Sequence, residues 1–368
     1  MSSSADTPAV DLARYSRQML FEHVGVDGQR RLRRARVVLV GCGALGSVLA
    51  GTLVRAGVGA LRLIDRDFPE LNNLQRQTLF DEDDVAQGLP KAEAAARKLR
   101  RVNSQVEVEP VVADLHAENA EHLCTGHDLI LDGTDNLETR FLMNDVAVKH
   151  GIPWVYGACI GAEGLVLPVL PRQTACLRCI WDEPPPPGSL PTCDTVGVLA
   201  SAVSVVASLQ AVEALKILIG RHDEVNRHLT AINVWAGRVR TISVQSAFEG
   251  GACPCCALGR FDFLTAARGS TTTTLCGRDA VQVLPRPAPA TRANGPGAGA
   301  GPSRTAPPLF EAVRRRLPAA CRARGNAFIL QFDADGCIVT LFSDGRAIVK
   351  GTSRPAVARA IYARYVGF

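Results

Sequence analysis

One stretch limits this chain more than any other. The apolar run Val37-Val38-Leu39-Val40 leads into Gly41-Cys42-Gly43-Ala44-Leu45-Gly46, a helical segment follows, and the run Ala60 to Ile64 closes on Asp65. A strand, a glycine turn, a helix and a second strand ending in acid make up the nucleotide-binding half of a doubly wound α/β sheet. Gly41 lets the strand turn sharply, Gly43 lets backbone approach a phosphate or ribose, and Gly46 lets the new helix pack against its strand. The helix is expected over Ser47 to Ala56, stopped by Gly57 as a C-cap. Asp65 follows Gly46 by about the 20 residues expected of a carboxylate that holds ribose hydroxyls. No GxxxxGK[ST] occurs, so any ATP would not sit in a Walker loop.

The rest of the chain has room for more than this unit. With 368 residues, 47% of them hydrophobic, it holds one large domain or two ordinary ones. The net charge of +5 is mild, and no dense Lys/Arg block with interleaved aromatics is present. That argues against nucleic acid and for anionic small molecules or an acidic partner. The N-terminus Met1-Ser2-Ser3-Ser4-Ala5-Asp6 lacks the apolar core of a secretory signal, so the expected location is cytoplasmic. Twelve cysteines in that setting read as metal ligands or reactive groups rather than disulfides. The most apolar run, Val198 to Ile219, carries Gln210, Glu213 and Lys216 at helical spacing, which predicts a buried amphipathic helix and no membrane span.

The segment after Asp65 separates the candidate nucleotides. Asp65-Arg66-Asp67-Phe68-Pro69-Glu70-Leu71-Asn72-Asn73-Leu74-Gln75-Arg76-Gln77 is too polar and irregular for a strand, and a simple dehydrogenase has no use for it. Lys91 then opens the helix Lys91 to Arg101. Cations beside a nucleotide fold suit a triphosphate whose charge must be offset. Further on, Val106 to Val112 reads as a strand, Ala117 to Leu123 as a helix, and Asp128 to Leu131 as a strand ending in Asp132-Gly133-Thr134-Asp135-Asn136. Carboxylates at the carboxyl end of a parallel strand lie where open α/β sheets bind ligands. Asp135 suits magnesium, which takes one or two carboxylates plus phosphate oxygens, and Asp132 suits the cap of the helix Leu137 to His150.

Taken together, Arg14-Tyr15-Ser16-Arg17-Gln18, Gly41 to Gly46, Asp65-x-Asp67, Asn73 to Gln77, Pro90-Lys91 and Asp132 to Asn136 resemble the HesA/MoeB/ThiF adenylyltransferases, bacterial relatives of ubiquitin-activating enzymes. The resemblance covers about residues 10 to 260 and departs only at Pro69 and Asn72, where a β-branched and a small hydroxyl residue are expected. It implies that Asp65 binds ribose, that Asn73, Arg76 and Lys91 bind the phosphates, and that Asp135 holds the catalytic magnesium. It also implies a homodimer in which Arg17 reaches the ATP of the other subunit.

Two thiol pairs stand apart from the nucleotide motifs. Cys176-Leu177-Arg178-Cys179 and Cys253-Pro254-Cys255-Cys256 each place two residues between outer cysteines, the spacing of a zinc knuckle, and zinc favours four such ligands in a closed tetrahedron. Cys176, Cys179, Cys253 and Cys256 are the expected set, with Cys255 in competition with Cys256. The family resemblance implies such a zinc as well. Between the pairs, the run from Asp182 to Thr195 is rich in proline and reads as an exposed crossover loop bearing Cys193. A helix N-terminus after it would favour the Cys193 thiolate and Asp194 would oppose it. In ThiF-like and eukaryotic relatives a cysteine here accepts sulfur or carrier protein; in MoeB-like enzymes its presence does not imply that role.

The expected architecture is α/β: a Rossmann-like, mostly parallel sheet with helices on both faces, antiparallel strands toward its C-terminal end (His228 to Val234 and Val239 to Val244), a zinc-knuckle site, and a small α+β module at the C-terminus. The adenylation domain is drawn at 1–260, a linker at 261–308 that becomes rich in Pro, Gly and Ala from about 284, and the module at 309–368. The module, with Ser343-Asp344-Gly345-Arg346 and Tyr362 to Gly367, looks like the tail of some bacterial ThiF-type proteins. The expected function is ATP-dependent adenylation of the C-terminal glycine carboxylate of a ubiquitin-like sulfur-carrier protein. A ThiS-like carrier of thiamine thiazole synthesis comes first and a MoaD-like carrier of molybdopterin synthesis second, with a sulfur-donor protein as a further partner. An NAD-dependent oxidoreductase would explain the glycine turn and Asp65 but not Asn73 to Gln77 or the cysteine pairs; a non-catalytic zinc scaffold that binds a carrier without activating it predicts carrier binding that survives Lys91→Ala with no ATP turnover.

Overall fold

In this computed structural model, which describes residues 12–185, 193–265, 274–275, 279–283 and 308–366, two short helices, α1 (Ser16–Met19) and α2 (Gly25–Leu32), lead into the central strand β1 (Arg36–Val40). Four of the five β1 residues are buried, as a β-branched run flanked on both faces must be. Helix α3 (Ala44–Ala56) begins three residues earlier than the sequence suggests, because Gly43 serves as its N-cap and Gly46 falls inside its first turn. Gly57 ends it in the left-handed region at φ 84°, its N–H bonding back to Leu53 and Val54. The chain continues through β2 (Ala60–Ile64), α4 (Glu82–Gln87), α5 (Lys91–Val102), β3 (Glu107–Val111), α6 (Ala117–Cys124), β4 (Leu129–Asp132) and α7 (Leu137–His150).

Two further strands, β5 (Trp154–Ile160) and β6 (Glu163–Val169), form a hairpin, followed by α8 (Leu177–Ile180), α9 (Cys193–Val196) and the long α10 (Ala200–Leu218). Strands β7 (Leu229–Asn233) and β8 (Arg238–Ile242) and helix α11 (Gln245–Glu249) complete this part. The eight strands lie in the order β3-β2-β1-β4-β5-β6-β7-β8. The pairings from β3 to β5 are parallel and those from β5 to β8 antiparallel. The chain winds outward from β1 through β2 to β3, then returns to place β4 on the other side of β1. That reversal opens a crevice at the carboxyl ends of β1 and β4, the position at which open α/β sheets take ligands.

Helix α3 packs against both α5 and α10, and all three lie against the sheet, while α6 and α7 cover strand residues that include Val38, Ile130, Trp154 and Tyr156. Among the described residues α10 is the one helix long and apolar enough to cross a membrane, and more than half of it is buried against α3, β5 and β6. Gly157 and Gly164 make that contact possible: a Cβ at either would collide with Gln210 or Val206 of α10.

The chain divides into two compact units, Met1–Pro186 with Gly197–Arg268, and Pro187–Val196 with Gly269–Phe368. The second contains α9 together with β9 (Thr274–Leu275), β10 (Ala280–Val283), α12 (Pro308–Arg316), β11 (Arg324–Gly325), β12 (Ile329–Ala334), β13 (Cys337–Phe342), β14 (Ala347–Lys350) and α13 (Pro355–Tyr365). Its strands form an antiparallel sheet in the order β11-β12-β13-β14-β10-β9. Alternate side chains from the sheet, such as Val281, Phe332, Val339 and Val349, meet Phe310 of α12 and Ile361 and Tyr362 of α13 in one apolar core. Strands β9 and β10 come from within the span read as linker; the Pro/Gly/Ala-rich stretch itself lies outside the described residues up to 307.

Candidate nucleotide site and metal centre

The crevice is built by glycines that touch. A Cβ on Gly41, whose φ is 87°, would lie 2.6 Å from the carbonyl carbon and oxygen of Gly133. A Cβ on Gly46 or on Gly133 would overlap the Gly41 carbonyl. These three hold the turn after β1 against the end of β4. Gly43 is different: a Cβ there would meet only Gln77 Nε2 at 3.8 Å and the Gly133 oxygen at 3.9 Å, ordinary contacts. The protein itself leaves room above Gly43, so its lack of a side chain serves whatever lies in the crevice.

Asp65, at the end of β2, accepts the backbone N–H of Cys42 at 2.6 Å and that of Asp67 at 2.7 Å. It therefore braces the glycine turn. Burial pushes its carboxyl upward, and Lys91 nearby works in the opposite direction. The same burial, with Asp65 alongside, pushes the Cys42 thiol far above its ordinary range, which leaves it inert as a nucleophile. Lys91 is 3% exposed; its backbone N–H bonds to the Asp67 carbonyl and its Nζ stands 3.8 Å from Asp67 Oδ2. A buried ammonium with so loose a carboxylate contact is poised for a stronger anion.

The segment from Asn73 to Gln77 closes over this corner. Asn73 is fully buried, its Oδ1 accepting the Glu70 N–H, and Arg76, half-buried, rests on the Asn72 carbonyl. Ser47 Oγ on α3 accepts the Thr78 N–H, which ties the segment to the glycine turn. Gln77, not singled out from the sequence, belongs to the site. It is 4% exposed, faces Gly43, and its buried Oε1 has no hydrogen-bond partner among the described residues. An orphaned amide beside open space above a glycine turn fits a ligand with polar groups. Its signal in the sequence was its place in the same motif as Asn73 and Arg76.

At the end of β4, Asp132 and Asp135 have separate tasks. The expected capping role of Asp132 is not what the structure contains: Asn136 caps α7, its Oδ1 accepting from Glu138 and Thr139. Asp132 is fully buried and binds Arg140 Nε at 2.8 Å, the Thr134 N–H and the Gly157 N–H. Arg140 in turn bonds to the carbonyls of Thr134 and Gly157. Burial acts against its charge, but Asp132, with Tyr156 and Asp135, more than offsets this and holds the guanidinium ionised. Asp135, exposed at the mouth of the crevice, lies within electrostatic reach of Arg66 and Arg140.

The crevice thus brings together Gly41, Gly43, Gly46, Asp65, Asn73, Arg76, Lys91 and Asp135. Arg17 is absent from it. Helix α1 and the turn just before it lie against the C-terminal ends of α3 and α5: Gln18 Nε2 bonds to the Ala56 carbonyl, Arg14 to that of Val102, and Tyr15 Oη accepts from Asn103. The crevice is at the opposite end of those helices. The 13 residues of α3 span about 20 Å, more than one arginine side chain can bridge. Cys193 is the first residue of α9, and its side chain lies outside the described part of the structure.

The metal centre is the second cluster. The sulfurs of Cys176, Cys179, Cys253 and Cys256 all fall within 4.8 Å of one another. Cys176 and Cys253 are 3.6 Å apart, Cys179 and Cys256 3.4 Å, and Cys176 and Cys179 3.9 Å. A tetrahedron with zinc–sulfur bonds of about 2.3 Å has edges of about 3.8 Å, so the four thiols fit zinc. Four protein ligands would leave no open position on the ion, the arrangement of a structural rather than a catalytic zinc site. Arg178, 2% exposed between the first two cysteines, secures the far side by bonding to the Arg260 carbonyl and to Asp262.

Known proteins resemble the chain throughout. The ThiF family profile matches residues 15–255. The "Sulfur carrier protein ThiS adenylyltransferase" of Bacillus subtilis is 40% identical over 355 residues, 96% of this chain and 99% of that protein. The "Sulfur carrier protein adenylyltransferase" of Thermus thermophilus is 40% identical over 251 residues, 67% of this chain and 91% of that one. Among solved structures, E. coli MccB with ATP superposes with a TM-score of 0.57 at 22% identity, covering 67% of this chain and 75% of its own, which speaks to the fold.

Proposed function

The chain belongs to the ThiF family, and on that premise we propose that it adenylates the C-terminal glycine carboxylate of a ubiquitin-like sulfur-carrier protein of the ThiS type, preparing it to receive sulfur. The observation that carries this reading is the match to a ThiS adenylyltransferase across nearly the full length of both chains, C-terminal module included. A carrier carboxylate oxygen attacks the α-phosphorus of ATP, the bond from that phosphorus to the bridging oxygen breaks, and the products are the acyl adenylate and pyrophosphate.

Both reactants are anionic, so the reaction depends on cations fixed before they meet. Asp65 receives the ribose hydroxyls, and Asn73, Arg76 and Lys91 receive the phosphates. Asp135 would hold magnesium, which supplies charge neutralisation to the departing pyrophosphate oxygens. Gln77 offers its amide to the nucleotide above Gly43. The carrier's C-terminal segment enters along the open face of β5 to β8, where a groove of about 370 Å³ runs from Ala158 past Glu163 and Asn233 to Arg238 and Arg240. Its inner end adjoins Gly157, whose carbonyl is bound by Arg140. In the later step a sulfur nucleophile supplied by a donor protein attacks the acyl carbon, the bond from that carbon to the adenylate oxygen breaks, and AMP leaves; Cys193 is the candidate acceptor of sulfur or carrier.

The active enzyme is a homodimer on this reading. Two features support it: Arg17 is remote from its own crevice, and apolar side chains that one copy leaves exposed stand beside it and on α10, namely Leu20, Phe21, Val205, Leu209 and Val212. Carrier-dependent ATP–pyrophosphate exchange is the test. Exchange is expected with a ThiS-type carrier and to be lost in Asp135→Ala with the circular dichroism unchanged. Exchange surviving in Asp135→Ala would end the magnesium assignment, and exchange only with a MoaD-type carrier would redirect the substrate.

A further inference from the structure

Three thiols crowd the second knuckle, and the neighbourhood of the odd one carries information. Cys255 is fully buried yet outside the quartet that fits zinc. Its sulfur accepts the Asn144 side-chain N–H at 3.3 Å and donates to Asp145 Oδ1 at 3.4 Å. Those two residues are neighbours on α7, and neither has exposed surface. Asn144 does more than hold Cys255. Its Oδ1 accepts the Leu177 N–H at 2.9 Å, fixing the start of the first knuckle, and its Nδ2 points at Cys176 Sγ from 3.7 Å. The other oxygen of Asp145 accepts the N–H groups of Phe263 at 2.9 Å and Leu264 at 3.3 Å, just past the second knuckle.

From this geometry we infer that Asn144 and Asp145 are positioning residues of the metal centre, which hold Cys255 against α7 and leave Cys256 as the fourth ligand. An apolar core would have sufficed to bury this stretch of α7. Two polar side chains buried side by side, Asn144 bonded to backbone of the first knuckle and Asp145 to backbone just past the second, and each to a sulfur, form a bracket around a metal-ligand set. The N–H aimed at Cys176 matters for the bound state in particular. A ligated thiolate carries charge in a buried setting, and a donor facing it spreads that charge and steadies the ligand. The inference rests on zinc being the occupant of the four-thiol cluster and is independent of the adenylation chemistry.

The test uses the full-length protein loaded with zinc or with cobalt(II). Asn144→Asp keeps an oxygen for the Leu177 N–H and removes the donor facing sulfur. Zinc affinity, read by competition with a chromophoric chelator, is expected to fall about 10–100-fold. The thiolate-to-cobalt charge-transfer band should move to lower energy, because a thiolate without its donor gives up electron density more readily. A loss of packing alone would not move that band. Asn144→Ala, smaller and uncharged, gives the same readings if the aspartate variant does not fold. Cys255→Ser should bind one metal with the four-thiolate spectrum intact, whereas Cys256→Ser should lose it. Unchanged affinity and band position in both Asn144 variants, or loss of the four-thiolate spectrum in Cys255→Ser, would overturn the assignment.

Discussion

Gly43 and Gly46 lie three positions apart in one turn and are glycine for different reasons. At Gly46 the protein's own backbone forbids a Cβ, since the Gly41 carbonyl already occupies its place. At Gly43 the protein would accept one. Alanine should therefore separate folding from binding. Gly46→Ala is expected to destabilise the fold by a few kcal/mol, roughly the cost of overpacking a close contact, and to lower the melting temperature visibly. Gly43→Ala should melt within about a degree or two of the parent, as a change that meets ordinary contacts does, yet bind ATP at least about tenfold more weakly, as lost close approach to a phosphate implies. Calorimetry with and without ATP measures both. Equal losses of stability in the two variants would refute the room for a Cβ at Gly43, and parental ATP binding by Gly43→Ala would mean that this space has no part in nucleotide binding.

Helix α7 joins the two halves of the site. Its first turn carries Asn136 and Arg140 at the crevice, and its middle carries Asn144 and Asp145 at the metal centre. Arg140 links α7 to β4 through Asp132 and to β5 through the Gly157 carbonyl. Arg140→Leu leaves the Asp132 charge buried without its partner, which should cost about 3–5 kcal/mol; adding Asp132→Asn should recover part of that loss in urea denaturation. If the double variant is no more stable than the single one, the pair contributes through shape rather than charge. Both ends of α7 lie where the sequence places them, with Gly151 as a strong stop, and so do those of β2. The hairpin β5–β6 was not legible: Gly157 and Gly164 break up the pattern, and they are explained by contacts with α10, far along the chain. The choice of Asp132 as a cap was local reasoning that lost to a tertiary one, since a buried arginine eight residues on claims its carboxylate. For Gln77 the motif was visible but its burial was not, because the contact that covers it is with Gly43, more than thirty residues back.

At the scale of the whole molecule, Arg17 poses the sharpest question. The motif places it among nucleotide-binding residues, while the fold puts α1 at the far ends of α3 and α5. Both hold if the active site is completed by a second copy, and then defects in Arg17 and Asp135 belong to different halves of one site. Arg17→Ala and Asp135→Ala homodimers should each be inactive in pyrophosphate exchange. A mixed dimer has one site with intact Asp135 from one copy and intact Arg17 from the other, and a second site lacking both. After denaturing and refolding the two variants together in equal amounts, half the dimers are mixed and half the sites in each are whole, so about a quarter of the parent activity should return. Simple mixing without subunit exchange should return none. Arg17→Ala retaining parental exchange would show that this arginine serves no nucleotide site at all. A defective Arg17→Ala that shows no recovery with Asp135→Ala, despite mixed dimers detected by native mass spectrometry, would place both defects within one copy and refute the shared site.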